Sequence, residues 1–154
     1  MKNTLLITLA LLIFSCKVPL AKRTIKLNIQ STSEYCEGAK PTEEILADYN
    51  TLKPYTGSIY LHQDPDRNDA GIAVIFSNGK AEVSGLVEGD YLMFEYPKAD
   101  FEKFKQNPTI SADQIHCAVL RSQQMLGDFS VNEKTKEVTQ QIKLACDPCS
   151  EPKP

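Results

Sequence analysis

IAVIFSNGKAEVSGLVEGDY, residues Ile72–Tyr91, is the stretch that decides the fold of this chain. Its apolar start predicts a strand over Ile72–Phe76, and Asn78-Gly79 follows closely. That dipeptide is the strongest short hairpin signal, because both central residues of a type I′ turn need a positive φ. A return strand is expected over Lys80–Val87 and, after a second glycine turn, a third strand over Tyr91–Tyr96. The sequence therefore predicts an antiparallel meander of three adjacent strands.

Further strands are predicted on both sides of this stretch. Thr24–Ile29 alternates polar and apolar residues, which is the period-two pattern of a half-buried strand. Gly57 opens a strand over Ser58–His62, and apolar residues that alternate with polar ones from Val138 to Cys146 predict the last strand. The chain is therefore expected to form a mainly β domain.

Short helices are predicted where the strand pattern is interrupted. Pro41–Leu52 begins with proline and two acids, which suit the first turn of a helix and the positive end of its dipole. Ala99–Gln106 is a second candidate. Ser111–Gln114 has the spacing of a capping box and predicts a helix that Gly127 ends, with apolar residues Ile115, Val119, Leu120, Met125 and Leu126 on one side. A strand over Ile115–Leu120 is the alternative for this segment.

The composition describes a mildly acidic chain of single-domain size. It has 154 residues, with 17 basic and 20 acidic side chains and a formal charge of −3. Loss of residues 1–15, which contain one lysine and no acid, would leave 16 basic and 20 acidic side chains and a charge of −4. Nucleic-acid binding needs a basic stripe that neutralises phosphates. Only Lys17–Arg23 is locally basic, so this function class is excluded.

The first residues have the three parts of a secretory signal peptide. Lys2 supplies a positive start, Leu5–Phe14 is an apolar run, and small Ser15 precedes Cys16. A membrane-spanning helix needs roughly 20 apolar residues, about twice the length of this run. The sequence predicts a signal peptide over residues 1–15 rather than a membrane span.

Ile13-Phe14-Ser15-Cys16 resembles the bacterial lipobox, in which a branched apolar residue and small residues precede an acylated cysteine. The resemblance implies that Cys16 carries lipid, palmitate among its acyl chains, and that residues 16–23 tether the domain to a membrane. Two or more acyl chains anchor stably because each buried CH₂ contributes about 0.8 kcal/mol. Surface-exported lipoproteins of flavobacteria and their relatives resemble one another in having acids soon after the lipidated cysteine. Lys17-Val18-Pro19-Leu20 has none, so the periplasmic side of the outer membrane is expected rather than the cell surface. A plain secreted protein that lacks the anchor is the alternative.

The stretch Gly57–Tyr91 resembles the carboxypeptidase regulatory-like (transthyretin-like) domain. Ser77-Asn78-Gly79 stands at the family's turn, and Leu86-Val87-Glu88-Gly89-Asp90-Tyr91 matches its closing Leu-x-x-Gly-x-Tyr motif. Tyr35–Pro41 and Cys146–Cys149 are similar to segments of small exported proteins of flavobacteria and their relatives. The resemblance implies an antiparallel Greek-key β-sandwich over residues 24–149, without enzymatic activity or a cofactor. It implies a structural role, or binding of a protein or glycan partner.

Four cysteines remain beyond Cys16, and they are listed here as disulfide candidates: Cys36, Cys117, Cys146 and Cys149. An even number in an exported chain predicts disulfides, and four cysteines allow three connectivities. A Cys-x-x-Cys loop closed on itself is small and tends to be redox-active. We therefore expect Cys36 and Cys117 each to pair with one cysteine of the C-terminal motif, and both such arrangements remain open.

Two alternatives use Cys146 and Cys149 differently. Their Cys-x-x-Cys spacing with a proline is also that of thioredoxin-type enzymes, where a following helix lowers the thiol pKa. Here only the Pro-rich tail, residues 150–154, follows. A zinc site would recruit the same two cysteines with Cys117 and His116. Both alternatives would make the chain a periplasmic thiol-redox or metal-handling protein.

The remaining candidate residues have ordinary structural explanations. His62 is expected to be structural or solvated, and the acidic turn over Asp64–Asp69 lacks the spacing and final glutamate of a calcium-binding EF-hand loop. No nucleophile elbow, zinc-protease helix or phosphate-binding loop occurs in the sequence. We therefore predict no catalytic residues and no metal site.

Overall fold

The computed structural model describes residues 21–69, 71–99 and 109–149. The predicted leader, Cys16, most of the tether, the tail and all but the first residue of the helix expected over Ala99–Gln106 lie outside these ranges. The described elements are β1 (Arg23–Ser33), α1 (Glu43–Tyr49), β2 (Lys53–Pro54), β3 (Gly57–His62), β4 (Ile72–Phe76), β5 (Lys80–Leu86), β6 (Gly89–Phe94), α2 (Ala112–Ser122), β7 (Met125–Val131) and β8 (Glu137–Leu144).

Two four-stranded sheets face each other and form a β-sandwich, as the alternating strand patterns predict. The first sheet has β1 at its centre, paired with β2 and β5 on one side and β8 on the other; the second has the order β4-β3-β6-β7. Inward-facing residues of every strand except β2 contribute to the core between the sheets. The largest fully buried side chains are Phe76, Ile25, Leu27, Ile59, Leu61, Leu86 and Met93. The fold class is therefore mainly β, with two short helices among the described residues.

The first sheet joins the two ends of the described chain. β1 and β5 are antiparallel, with Thr24 opposite Ser84. β1 and β8 are parallel over eight residue pairs, from Lys26 opposite Glu137 to Ser33 opposite Leu144. The sandwich is thus antiparallel except for this one pairing, which involves its first and last strands.

The predicted meander of three adjacent strands is wrong. β4 pairs with β3 in the second sheet, β5 pairs with β1 in the first, and β6 returns to the second sheet beside β3. Asn78 and Gly79 do have positive φ values of 49° and 75°. Only one bridge, between Ser77 and Lys80, joins the two strands across this turn.

The chain passes from one sheet to the other at this turn, and the backbone groups of Gly79 bond to residues outside β4 and β5. The Gly79 N–H donates to the Tyr55 carbonyl, and its carbonyl accepts from the Ile29 N–H, each at 2.7 Å. β4 and β5 lie in opposite sheets, and the inward residues of both strands are buried in the same core. Burial of two apolar faces therefore prevails over local hairpin pairing.

The return from β5 to β6 is held by the closing motif of Leu86–Tyr91. Leu86 is fully buried, and Gly89 has a φ of 142°, which side-chain-bearing residues rarely adopt. The Tyr91 hydroxyl donates to the Val87 carbonyl at 3.1 Å and accepts from the Val87 N–H at 3.0 Å. The motif is therefore a tyrosine corner, in which a buried ring fixes the loop before its strand.

Both described helices begin within two residues of the predicted starts, and both end earlier than predicted. α1 begins at Glu43 after its N-cap Thr42, so Pro41 lies before the helix rather than in its first turn, and α1 ends at Tyr49, before Leu52. Ser111 and Gln114 form the predicted capping box at the start of α2. The helix ends at Ser122 rather than near Gly127, and the alternative strand over Ile115–Leu120 does not form. Met125 begins β7, which pairs with β6 and buries Phe129 and Val131. The last predicted strand likewise ends at Leu144, two residues before Cys146.

Candidate functional site

The four described cysteines form two disulfides. Cys36 pairs with Cys146, 110 residues away, and Cys117 pairs with Cys149, 32 residues away. The Cα atoms are 5.5 Å apart in both pairs, within the usual range for a disulfide. The sequence had left two such arrangements open, and this is one of them.

Polar contacts hold the C-terminal segment in place between these disulfides. Arg121 on α2 binds the Asp147 carboxylate through both its Nε and Nη2, the first at 2.8 Å, and the Cys149 N–H donates to the same carboxylate at 3.0 Å. The hydrogen bond from Arg121 lowers the pKa of Asp147 despite a partial loss of solvent. Lys143 pairs with Glu34 at 2.8 Å beside the other disulfide. The segment that carries both cysteines is thus fastened to β1 and α2.

This arrangement opposes the two alternative uses of the C-terminal cysteines. Cys146 and Cys149 bond to different partners, so they do not form the internal disulfide of a thioredoxin-type motif. The described cysteine sulfurs are all in disulfides and supply no thiolate for zinc, while His116 is exposed on α2. Within the described ranges, no group of three or more histidine, cysteine or acidic residues is placed to hold a metal ion.

The acidic loop between β3 and β4 is organised around one carboxylate and one lysine. The Asp64 carboxylate accepts from the N–H groups of Asp66 at 2.9 Å and Asn68 at 3.2 Å. The bond from Asp66 is the main reason that the pKa of Asp64 is lowered. Lys98 donates from its Nζ to the carbonyls of Asp66 at 2.8 Å and Arg67 at 3.0 Å, and to Asn68 Oδ1 at 3.2 Å. The Lys98 ammonium group thus occupies two carbonyl oxygens and one amide oxygen of the loop.

Arg67, at the centre of this loop, is a buried cation. Only 8% of the residue is exposed, and its guanidinium lies 4.2 Å from the centroid of the Phe94 ring. Its φ is 52°, in the left-handed region, and its N–H donates to the Asp64 carbonyl at 2.8 Å. Its Nη1 makes one long hydrogen bond, 3.4 Å, to the Tyr96 carbonyl. Among the described residues, no carboxylate forms an ion pair with Arg67.

His62 lies next to this loop at the end of β3 and is buried. Its Nδ1 is 2.7 Å from Asp69 Oδ1, and Asp69 Oδ2 accepts from the Gln63 N–H at 3.0 Å. Burial alone would raise the pKa of Asp69, but the hydrogen bonds from His62 and Gln63 outweigh it and lower that pKa. Gly71 packs against the imidazole so closely that a Cβ there would lie 2.4 Å from its Cε1. His62 is therefore structural, as expected, and also fixes Asp69.

Two clefts open on either side of Arg67 and Lys98. The helix-side cleft, about 390 Å³, lies between the loop and α2 and includes Phe94 and Gln123. The sheet-side cleft, about 400 Å³, lies over the outer face of β3 and β4. Its lining residues are Tyr60, His62, Arg67, Asp69, Gly71, Ala73, Pro97 and Lys98.

The sequence did not identify Arg67 or Lys98 as site residues. Lys98 is 31 residues from Arg67 along the chain, so no local spacing connects them. The only available signal was an arginine inside a turn rich in aspartate and asparagine, and such a residue is usually solvated. Arg67 lies in a loop, and the ring that covers its guanidinium belongs to Phe94 of β6.

Comparisons with known proteins leave the family of this chain open. No family model matches it, and no curated protein matches its sequence. A DUF3823 family protein from Parabacteroides merdae is 15% identical over 78% of this chain and 45% of its own, with a TM-score of 0.35. One from Bacteroides ovatus is 16% identical over 81% and 44%, with a TM-score of 0.33. The minor pilin of Streptococcus agalactiae is 15% identical over 86% and 48%, with a TM-score of 0.39.

This chain therefore spans less than half the length of each of these three solved chains. Neither helix in the described part of the chain has the length and apolar character needed to cross a membrane.

Proposed function

We propose that this chain is a non-enzymatic bacterial envelope lipoprotein whose disulfide-stabilised β-sandwich binds a partner or supports an assembly. The observation that carries the proposal is the disulfide pairing. Cys146 and Cys149 each bond to a distant cysteine, as in a structural framework for an oxidising compartment. Cys16, the fifth cysteine, follows the apolar leader directly and is left for lipid.

The start of β1 supports a short tether between Cys16 and the domain. β1 begins at Arg23, seven residues after Cys16, so the connection spans at most about 25 Å when fully extended. The proposed position is the periplasmic face of the outer membrane. Beyond the tether, the 11 residues of β1 extend for about 35 Å. The Cys36–Cys146 disulfide lies beyond the C-terminal end of β1.

The tyrosine corner supports relation to the carboxypeptidase regulatory-like domains. Leu86, Gly89 and Tyr91 are the motif residues that the resemblance identified, and each has a distinct structural role in the β5–β6 connection. We propose that this chain belongs to that group of domains, because it has both this motif and the two-sheet architecture.

Lipid attachment is tested by comparing the natural chain with a Cys16→Ser variant in a bacterial host that processes lipoproteins. Cells are fed an alkyne-tagged palmitate, the envelope is fractionated, and the chain is weighed by mass spectrometry. We expect the natural chain to be cleaved before residue 16, labelled and recovered with membranes, and Cys16→Ser to be unlabelled. A Cys36→Ser variant controls for cysteine loss and should keep its label. An unlabelled natural chain, or a labelled Cys16→Ser, would contradict the anchor.

A further inference from the structure

Arg67 is a buried charge whose neutralising partner is absent from the described chain. A charged residue that is 8% exposed loses much of its hydration, which is costly unless a paired charge or several hydrogen bonds replace it. Phe94 and one long bond to the Tyr96 carbonyl replace only part of it. Arg121, by contrast, has two hydrogen bonds to Asp147. Arg67 therefore retains unused capacity to bind an anion.

The loop holds Arg67 ready for such a ligand. Its left-handed backbone is fixed by the bond from its N–H to the Asp64 carbonyl and by Lys98 on its own carbonyl. Its side chain is fixed by the Phe94 ring at 4.2 Å. Because the conformation is set before binding, little entropy is lost when an anion arrives. A planar fork of N–H donors matches a carboxylate in two parallel hydrogen bonds.

The charges around the sheet-side cleft select for one negative charge. Arg67 and Lys98 are cations, whereas Asp69 is a carboxylate that its hydrogen bonds from His62 and Gln63 keep ionised. Arg67 is the cation in this lining with donors to spare, because Lys98 already gives its three N–H groups to loop oxygens. A carboxylate brings one negative charge to Arg67, while a doubly charged phosphate would bring two negative charges close to Asp69.

We propose that the sheet-side cleft binds a sugar that carries a carboxylate, with the carboxylate on Arg67 and the hydroxyls on its polar neighbours. Its volume of about 400 Å³ exceeds one sugar ring. Tyr60 offers an aromatic face and a hydroxyl, and Asp69 accepts hydrogen bonds, whereas Lys98 already donates its three N–H groups to the loop. The assignment rests on the proposed binding role but not on lipid at Cys16.

Side-chain NMR of the arginines in the full-length protein tests this directly. The chain has three arginines, so each Nε–H signal can be resolved and assigned. Arg23 and Arg121 pair with Glu88 and Asp147 and serve as internal controls. The detergent-solubilised protein is titrated with sodium glucuronate, with uncharged glucose, with N-acetylglycinate and with inorganic phosphate at constant ionic strength.

We expect glucuronate to shift the Arg67 signal saturably, with the two control arginines unchanged. Loss of a charge-assisted hydrogen-bonded pair should make glucose about ten- to a hundred-fold weaker. A Tyr60→Phe variant, which leaves the loop intact, should weaken glucuronate several-fold, while Lys53→Met on the remote β2 should not.

Three results would overturn the proposal. The first is the absence of a saturable Arg67 shift with glucuronate, and the second is equal binding of glucose. The third is N-acetylglycinate or phosphate binding at Arg67 as tightly as glucuronate, which would remove the sugar or the carboxylate from the assignment. Because all titrations use purified protein, failure here leaves the labelling test of Cys16 unaffected.

Discussion

Replacing Cys36 and Cys146 together with serine removes the longer of the two covalent loops without leaving a free thiol from that pair. This disulfide joins residues 110 apart, and the Cys117–Cys149 disulfide joins residues 32 apart. A cross-link stabilises mainly by restricting the unfolded chain, and the restriction grows with the logarithm of the loop length. The two bridges should therefore contribute unequally to the free energy of unfolding.

The chain-entropy relation gives about 4.8 kcal/mol for the longer loop and about 3.7 kcal/mol for the shorter one. The longer bridge is thus comparable with the whole stability of a small domain, about 5–15 kcal/mol. We expect the Cys36→Ser/Cys146→Ser variant to be less stable than the Cys117→Ser/Cys149→Ser variant by about 1 kcal/mol. Both variants should be less stable than the natural chain by several kcal/mol.

Urea unfolding followed by circular dichroism measures these differences, with tyrosine emission as a second probe because the chain has six tyrosines and no tryptophan. A mismatched variant, Cys36→Ser/Cys149→Ser, is the control for connectivity. It should expose two more thiols in denaturant than either matched variant. The reasoning fails if each matched pair costs less than about 1 kcal/mol. It also fails if the mismatched variant has no free thiols while the matched ones have two.

Three further predictions concern single side chains. Gly79→Ala should lower the free energy of unfolding by about 2 kcal/mol, because its φ is 75° and the new Cβ would lie 2.8 Å from the Ile29 carbonyl oxygen. A loss of less than about 0.5 kcal/mol, measured by thermal unfolding, would contradict this. Tyr91→Phe should lower the free energy of unfolding by about 1–2 kcal/mol, because both hydrogen bonds between the hydroxyl and Val87 are lost. An unchanged urea midpoint would count against the tyrosine corner. Asp147→Asn should lower stability above about pH 4, the range in which the natural carboxylate is charged in both states. Because the folded pKa is lowered, that difference should shrink as the pH falls through it, and a pH-independent difference in the melting temperature would refute the role of charge.

Local chemistry predicted local structure well, and failed where the choice of partner was not local. Asn78 and Gly79 have the positive φ values that the dipeptide implies, yet the flanking strands enter opposite sheets. The turn residues specify how the chain reverses, but not which strand it then pairs with. That choice depends on burial of both strands in one core and on the bonds from Gly79 to Ile29 and Tyr55, which lie far away in sequence.

The same distinction applies to the helix and the candidate site. Ser111 and Gln114 are three residues apart, so their capping box could be read from the sequence. The end of α2 could not be read from the sequence, because Met125 belongs to β7, and β7 forms by pairing with β6. The cysteines were recognisable by chemistry and number. Arg67 could not be recognised as a site residue from the sequence, because Phe94 covers its side chain and Lys98 holds its backbone carbonyl.

The parallel ladder between β1 and β8 has a consequence for the order in which the domain can fold. A ribosome releases the chain from its N-terminus, so β1 emerges before every other described strand and β8 emerges after them. β1 is the centre of its sheet, and eight of its residues pair with a strand more than 100 positions later. Until Glu137–Leu144 has emerged, one edge of β1 stays open to any other extended chain. The first sheet can therefore close only after the last of its described strands is available, which makes this pairing a slow, non-local step of folding.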